Sequence, residues 1–481
     1  MNDQLKEERK AIGSATASPT KNFFVNMLTR DIELPDAILD LLDNCVDGIL
    51  RTAPRIEGEA PYAGFNASLT MDVDHFVIED NCGGIPKSIG EHYAFSMGRP
   101  PGEEVAHLQG AATVGMYGIG MKRAIFKLGT EAHVESWNDE AFIVEFSPEW
   151  MADRDWTNLP MYPLNEGALA DRGTRITVYE LNEECKRAFG DPAWIDEFRK
   201  TVARHYSIII GKGFEVRIGS AAEITAKIQP IKAAEFKLLE TDALDDGSRI
   251  QPYVYVGVLH GVEIEIYAGL YRKLLTAEEA DREEQTRGAK DDAGWTVACN
   301  DRVVIWKDTT RLTGWGEGTV PNFHGQFIAI TGVVLMRSDD PKKLPLTTTK
   351  RGIDAASSVY SEVKDLMKEA TKSLTTFTNR WKKNEKQLED IYRNSRYIDL
   401  PQMRSEAYKV ATATVRKFSD VRKSDVRLPN PKNETTTASV NFTANKADIA
   451  FLAKHFFEDE TVRAGLVGEA AFAECVGRYR R

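Results

Sequence analysis

Between residues 34 and 79 the apolar period of the chain changes from helical to alternating, which commits the fold to packing a helix against strands. Leu34, Ile38, Leu41, Leu42, Cys45 and Ile49 recur near helical spacing, and Pro35 suits a first turn, so residues 34–50 read as a helix. Residues 67–79 (ASLTMDVDHFVIE) alternate polar and apolar and run into a glycine-rich turn, the pattern of a strand or hairpin. An irregular, glycine-rich stretch from Ser96 to Gly120 gives way to a short helix ending at Leu128. Strands are expected near 131–136, 141–146 and 173–180, with a helix near 193–208.

A second α+β series follows. Strand-like runs occur at 213–218, 250–258, 262–270, 294–299, 302–306 and 325–337, and Asn300-Asp301 between two apolar runs reads as a hairpin turn. The polar segment from Thr276 to Asp292 is expected to be a mobile loop or an exposed helix. Val359, Val363, Leu366, Ala370, Leu374, Phe377 and Trp381 mark a long amphipathic helix within 357–392. Residues 429–447, rich in Asn, Thr, Lys and Pro, read as a linker before an apolar-aromatic helical tail. The fold class is therefore α+β, in four regions: 1–210, 211–355, 356–430 and 431–481.

Composition narrows the setting. The 481 residues carry 62 Lys and Arg against 73 Asp and Glu, a net charge of -11 that makes no global case for nucleic acid. Residues 351–430 run the other way, with 17 basic against 11 acidic side chains. That excess is read either as a solvated helical face or as a surface that meets phosphates. The longest apolar stretch, Phe327 to Met336, is too short to span a bilayer, and the charged opening MNDQLKEERK, with no apolar run after it, is not expected to be a signal peptide. The five scattered cysteines imply reduced thiols and a cytoplasmic location, with no zinc or disulfide framework.

Four elements carry the chemistry. In Asp40-Leu-Leu-Asp43-Asn44-Cys-Val-Asp47, three carboxylates and an amide share one helix face. This is either an acidic solvated face or a place for octahedral magnesium, which takes its remaining ligands from phosphates and water. Next comes Asp80-Asn-Cys82-Gly-Gly84-Ile85, a strand-end carboxylate followed by glycines. Such a carboxylate can accept from an exocyclic amine beside a flat ring, although Asp, Asn and Gly also build ordinary turns. The third, Gly115-Met-Tyr-Gly118-Ile119-Gly120-Met121-Lys122, opens a helix whose free N–H groups can cradle phosphates, and it is not a Walker A loop. The fourth, Gly173-Thr174-Arg175, opens a strand.

Taken in order, these residues resemble the four ATP-binding boxes of the GHKL ATPase superfamily, which includes gyrase, heat-shock chaperones, histidine kinases and MutL. The likeness covers about residues 20–210 and implies a two-layer Bergerat ATP-binding fold that takes ATP and Mg2+. It implies Asn44 as the magnesium ligand and Asp40 as the base that activates the attacking water. Asp80 would accept from the adenine amine, with Gly84, Ile85, Thr174 and Asp47 completing the nucleotide contacts. Gly115, Gly118, Ile119, Gly120 and Met121 would form the phosphate lid, and Lys122 would contact the phosphates. Two departures stand out. Asp40 is one methylene shorter than the family's usual Glu, so hydrolysis is expected to be slow. Cys82 stands where the family often has a glycine.

Leu346-Thr-Thr-Thr349-Lys350-Arg351 resembles the S5-like transducer domain of topoisomerase-like and MutL-like members, where a loop lysine, here Lys350, reaches the ATP site. The stretch from Gly294 to Val304 resembles a strand-turn-strand of that domain. MORC-type ATPases and their prokaryotic relatives are the nearest overall likeness. The resemblance implies an ATPase acting as an ATP-gated homodimer clamp in a DNA transaction or in anti-phage defence, with a partner effector or nuclease protein supplying any cleavage. A nucleotide-binding module with little turnover and a chaperone-like clamp for protein clients are the alternatives. No membrane partner is expected.

Overall fold

Helix α2 (Leu34–Thr52) keeps the predicted apolar stripe, and Leu34, Ile38, Leu41, Leu42, Cys45 and Ile49 are all buried. Its polar side is buried as well, since Asp40, Asp43 and Asp47 are only 4%, 1% and 4% exposed. A helix enclosed on every side must find partners for its carboxylates, and that requirement shapes the site described below. The structure is a computed structural model that describes residues 20–52, 60–96, 119–153, 156–165, 167–274, 292–347, 352–382, 384–405, 422–423, 427–431, 440 and 443–480. It is a mixed α+β fold with strands in three sheets.

The first sheet contains β1 (Asn66–Met71), β2 (Phe76–Asp80), β3 (Gly129–Trp137), β4 (Ala141–Phe146), β5 (Met161–Pro163), β6 (Gly173–Leu181) and β7 (Glu215–Gly219). Their order across the sheet is β5-β4-β3-β6-β2-β1-β7. Strict alternation buries Ala67, Leu69, Phe76, Ile78, Ala132, Val134, Phe142 and Val144 on one face, in one core with α2. The other face is polar, and there Arg175 bridges Glu79 at 2.8 Å and Glu135 at 3.1 Å across neighbouring strands.

β7 corrects the reading of the sequence. The run at 213–218 was expected to open the second α+β series, but it pairs in parallel with β1 and forms an edge of the first sheet. Helix α1 (Lys21–Arg30) was not anticipated; Lys21 is buried, and its amine donates to the Trp150 carbonyl beneath the indole ring.

The second sheet runs β12-β11-β13-β10-β9-β15, from β9 (Tyr253–Leu259), β10 (Val262–Leu270), β11 (Gly294–Cys299), β12 (Arg302–Asp308), β13 (Ile330–Arg337) and β15 (Arg422–Lys423). β8 (Lys237–Glu240) and β14 (Arg396–Asp399) form a separate antiparallel pair. The β11–β12 turn is the one expected, with Asn300 and Asp301 at φ of 47° and 67°. The long helix expected over 357–392 is two helices, Ser358–Trp381 and Glu385–Tyr392. Its apolar stripe packs on the second sheet, where Trp295 donates to Thr371 Oγ1 at 3.0 Å.

Contacts divide the chain into Met1–Pro431 and Lys432–Arg481. The second unit holds helices Lys446–Phe457 and Ala464–Tyr479, with Ala453 and Val467 buried. Gly115, Gly118, Lys350, nearly all of the 276–292 segment and most of the 429–447 linker lie outside the described residues. Among the described residues no helix is long and apolar enough to cross a membrane, and all five cysteines are free.

Candidate functional site

The site is built where α2 meets the end of β2. A Cβ on Gly48 of α2 would lie 2.6 Å from the Cys82 carbonyl oxygen, so the helix approaches the Asp80–Gly84 turn closely only because residue 48 is glycine. Asp80 ends β2 and pairs with Thr174 at the start of β6. Its Oδ1 accepts from the Cys82 amide at 2.7 Å, while the neighbouring thiols of Cys45 and Cys82 donate to the Leu41 and Asn66 carbonyls at 3.5 and 3.8 Å. Burial raises the Asp80 carboxyl above its usual range, against the lowering effect of the Cys82 amide. Gly84 turns with a φ of +67°, and a Cβ there would sit 2.3 Å from the Trp137 carbonyl. Ile85 donates its amide to Ser136 Oγ at 2.7 Å, and Ser136 Oγ lies 3.4 Å from Thr174 Oγ1. The second and fourth sequence elements are therefore one structure, and α2 reaches it at Gly48.

The carboxylates of α2 do not stay together. Asp43 turns to the second sheet, where its Oδ1 accepts from Arg302 Nε at 2.8 Å and from the Tyr206 hydroxyl at 2.5 Å. The Arg302 guanidinium stacks 4.3 Å from the Tyr206 ring and donates to the carbonyls of His205 and Val303. Next to Arg302, Asp301 takes Lys212 at 2.6 Å, Arg337 at 3.1 Å and the Tyr62 hydroxyl at 3.0 Å. The tip of the β11–β12 hairpin thus docks against the acidic helix. Asp40, one turn earlier on α2, is ion-paired to Arg123. Asn44 remains: its Nδ2 is buried and has no partner among the described residues.

Helix Gly120–Leu128, capped by Ile119, starts against Asp40; a Cβ on Gly120 would lie 3.5 Å from that carboxylate. The N–H groups of Gly120 and Met121 precede the first bond of the helix, from the Arg123 amide to the Ile119 carbonyl at 2.9 Å, which favours an anion there. Lys122 is the third residue of this helix. Its amine is buried and donates to the Ala94 carbonyl at 2.8 Å, and burial lowers its pKa to about 8. The basic group set on Asp40 is instead the next residue, Arg123. Met121 packs against the first core.

Sequence reasoning missed Arg123, Arg302 and Ser136. Arg123 adjoins a residue that was singled out, and Arg302 follows a recognised turn, but nothing local couples either to α2. Among the described residues no group of three or more His, Cys, Asp and Glu side chains could hold a metal ion. Comparison with protein-family profiles and with curated proteins finds no match to this chain.

Proposed function

We propose that the chain is an ATP- and magnesium-dependent conformational switch, a slow ATPase of the gyrase, MutL and MORC kind with a Bergerat-type first region and a transducer-like second one. One observation carries this reading. Residues distant in sequence, Asp80, Gly84, Thr174, Asn44, Asp40 and Gly120, meet around the junction of α2, the β2–β6 strand ends and the start of helix Gly120–Leu128. Asp80 is a buried acceptor suited to the adenine amine, beside glycine backbone that a flat ring can approach. The start of helix Gly120–Leu128 suits phosphates.

Asn44 would offer magnesium its side-chain oxygen, one turn along α2 from Asp40. Bound magnesium would neutralise phosphate charge and take its other ligands from phosphate and water. Asp40 would accept the proton of the attacking water as the bond from the γ-phosphorus to the bridging oxygen breaks. Roles for Gly115, Gly118 and Lys350 rest on the family resemblance alone. So do ATP-driven dimer closure and a DNA client. A second reading, a nucleotide-holding module with little turnover, is favoured by one observation: Asp40 is tied to Arg123.

Asn44→Ala tests the site directly. It is expected to weaken ATP binding about tenfold with magnesium, the weight of one lost polar contact, and to leave binding in excess chelator unchanged. An equal loss under both conditions, read by calorimetry, removes Asn44 from the metal.

A further inference from the structure

The Asp40–Arg123 pair is the part of the site that the family resemblance does not account for. Arg123 lies in the first turn of helix Gly120–Leu128, and its side chain is 12% exposed against 6% for Asp40. Its Nη2 donates to Asp40 Oδ2, while its Nε is buried with no partner among the described residues. A guanidinium presents its donors as a planar fork that matches two oxygens of one phosphate. Here one arm holds a carboxylate and Nε holds nothing. A buried donor without an acceptor is costly, so an anion supplying oxygens to this fork is favoured.

We propose that Arg123 is a γ-phosphate gate on Asp40, an inference that rests on the ATP reading above. In the nucleotide-free chain the guanidinium holds Asp40 through Oδ2, which keeps that oxygen from a water. A terminal phosphate brings more charge and a better geometric match than one carboxylate, so it draws the fork away and leaves Asp40 able to accept a proton. A diphosphate lacks that group and leaves the pair closed. Arg123 and Asp40 thus compete: the carboxylate opposes triphosphate binding as long as it keeps the arginine.

Calorimetric titration of the full chain with a non-hydrolysable ATP analogue and with ADP, both with magnesium, tests the gate. Arg123→Met is expected to weaken the analogue by about tenfold or more and ADP by less than about threefold. Asp40→Asn is expected to tighten the analogue by about threefold or more, because the competitor is gone, and that gain is expected to vanish in the Arg123→Met/Asp40→Asn double variant. Arg123→Lys keeps the charge and loses the fork, so it repeats the Arg123→Met pattern if that variant fails to fold. Equal losses for the analogue and ADP, or a gain from Asp40→Asn that persists without Arg123, overturn the gate. A parent chain that binds neither nucleotide overturns the ATP reading, and the gate with it.

Discussion

Arg302→Met is expected to lower the unfolding free energy by about 3–5 kcal/mol, the range for removing one partner of a buried ion pair. The loss comes less from the missing attraction than from what stays behind. Asp43 is 1% exposed, and without Arg302 its charge would lose its cationic partner in a buried setting, although the Tyr206 hydroxyl would still donate to it. The His205 carbonyl would lose a donor at the same time. The second substitution follows from that logic. Adding Asp43→Asn to Arg302→Met removes the stranded charge, so the double variant is expected to be more stable than Arg302→Met alone. Urea unfolding of the parent, the two single variants and the double variant measures it. A double variant that loses the sum of both single effects would show that Arg302 and Asp43 are independent, and that the hairpin tip is not fastened to α2 through this pair.

Asp80→Ala is expected to lower ATP affinity by about 100-fold, near 3 kcal/mol, the upper range for a hydrogen bond to a charged group. The fold is expected to survive. Burial already disfavours this carboxylate, so deleting it relieves a desolvation cost while it frees the Cys82 amide. Asp80→Asn separates acceptor from shape. Its oxygen can still take the Cys82 amide, but its NH2 would face the adenine amine, so binding is expected to fall with no loss of thermal stability. Binding retained in either folded variant would take Asp80 out of nucleotide recognition.

Much of the fold is legible in the sequence because local periodicity reports burial directly. The stripe of α2, the alternation of β1 and β2, and the Asn300-Asp301 turn each follow from residues that are neighbours in the chain. β7 shows where that stops. Its apolar pattern says strand, but whether it joins β1 or the second sheet depends on a partner well over a hundred residues away, which no local pattern encodes. The site divides in the same way. Asp80 and Thr174 could be singled out by residue type, and sheet register brings them opposite each other. Lys122 and Arg123 could not be ranked, because adjacent positions on a helix point about 100° apart and only the packing decides which one meets α2. Here Lys122 faces the Ala94 carbonyl and Arg123 faces Asp40. The acidic stripe misled for a related reason. Helical spacing puts Asp40, Asp43 and Asp47 on one side, but Asp43 is claimed by an arginine from the other sheet.

The central claim is that Asp80 reads the amine of an adenine while Asn44 and the start of helix Gly120–Leu128 hold the phosphates. ATP and GTP share their phosphates and sugar, but guanine carries a carbonyl oxygen where adenine carries its amine. A buried carboxylate attracts the one and repels the other. Calorimetric titration of the unmodified chain with each, both with magnesium, isolates that contact. ATP is expected to bind and saturate, with GTP weaker by about 100-fold or more. Equal affinity for the two, or no binding of ATP, would contradict the account.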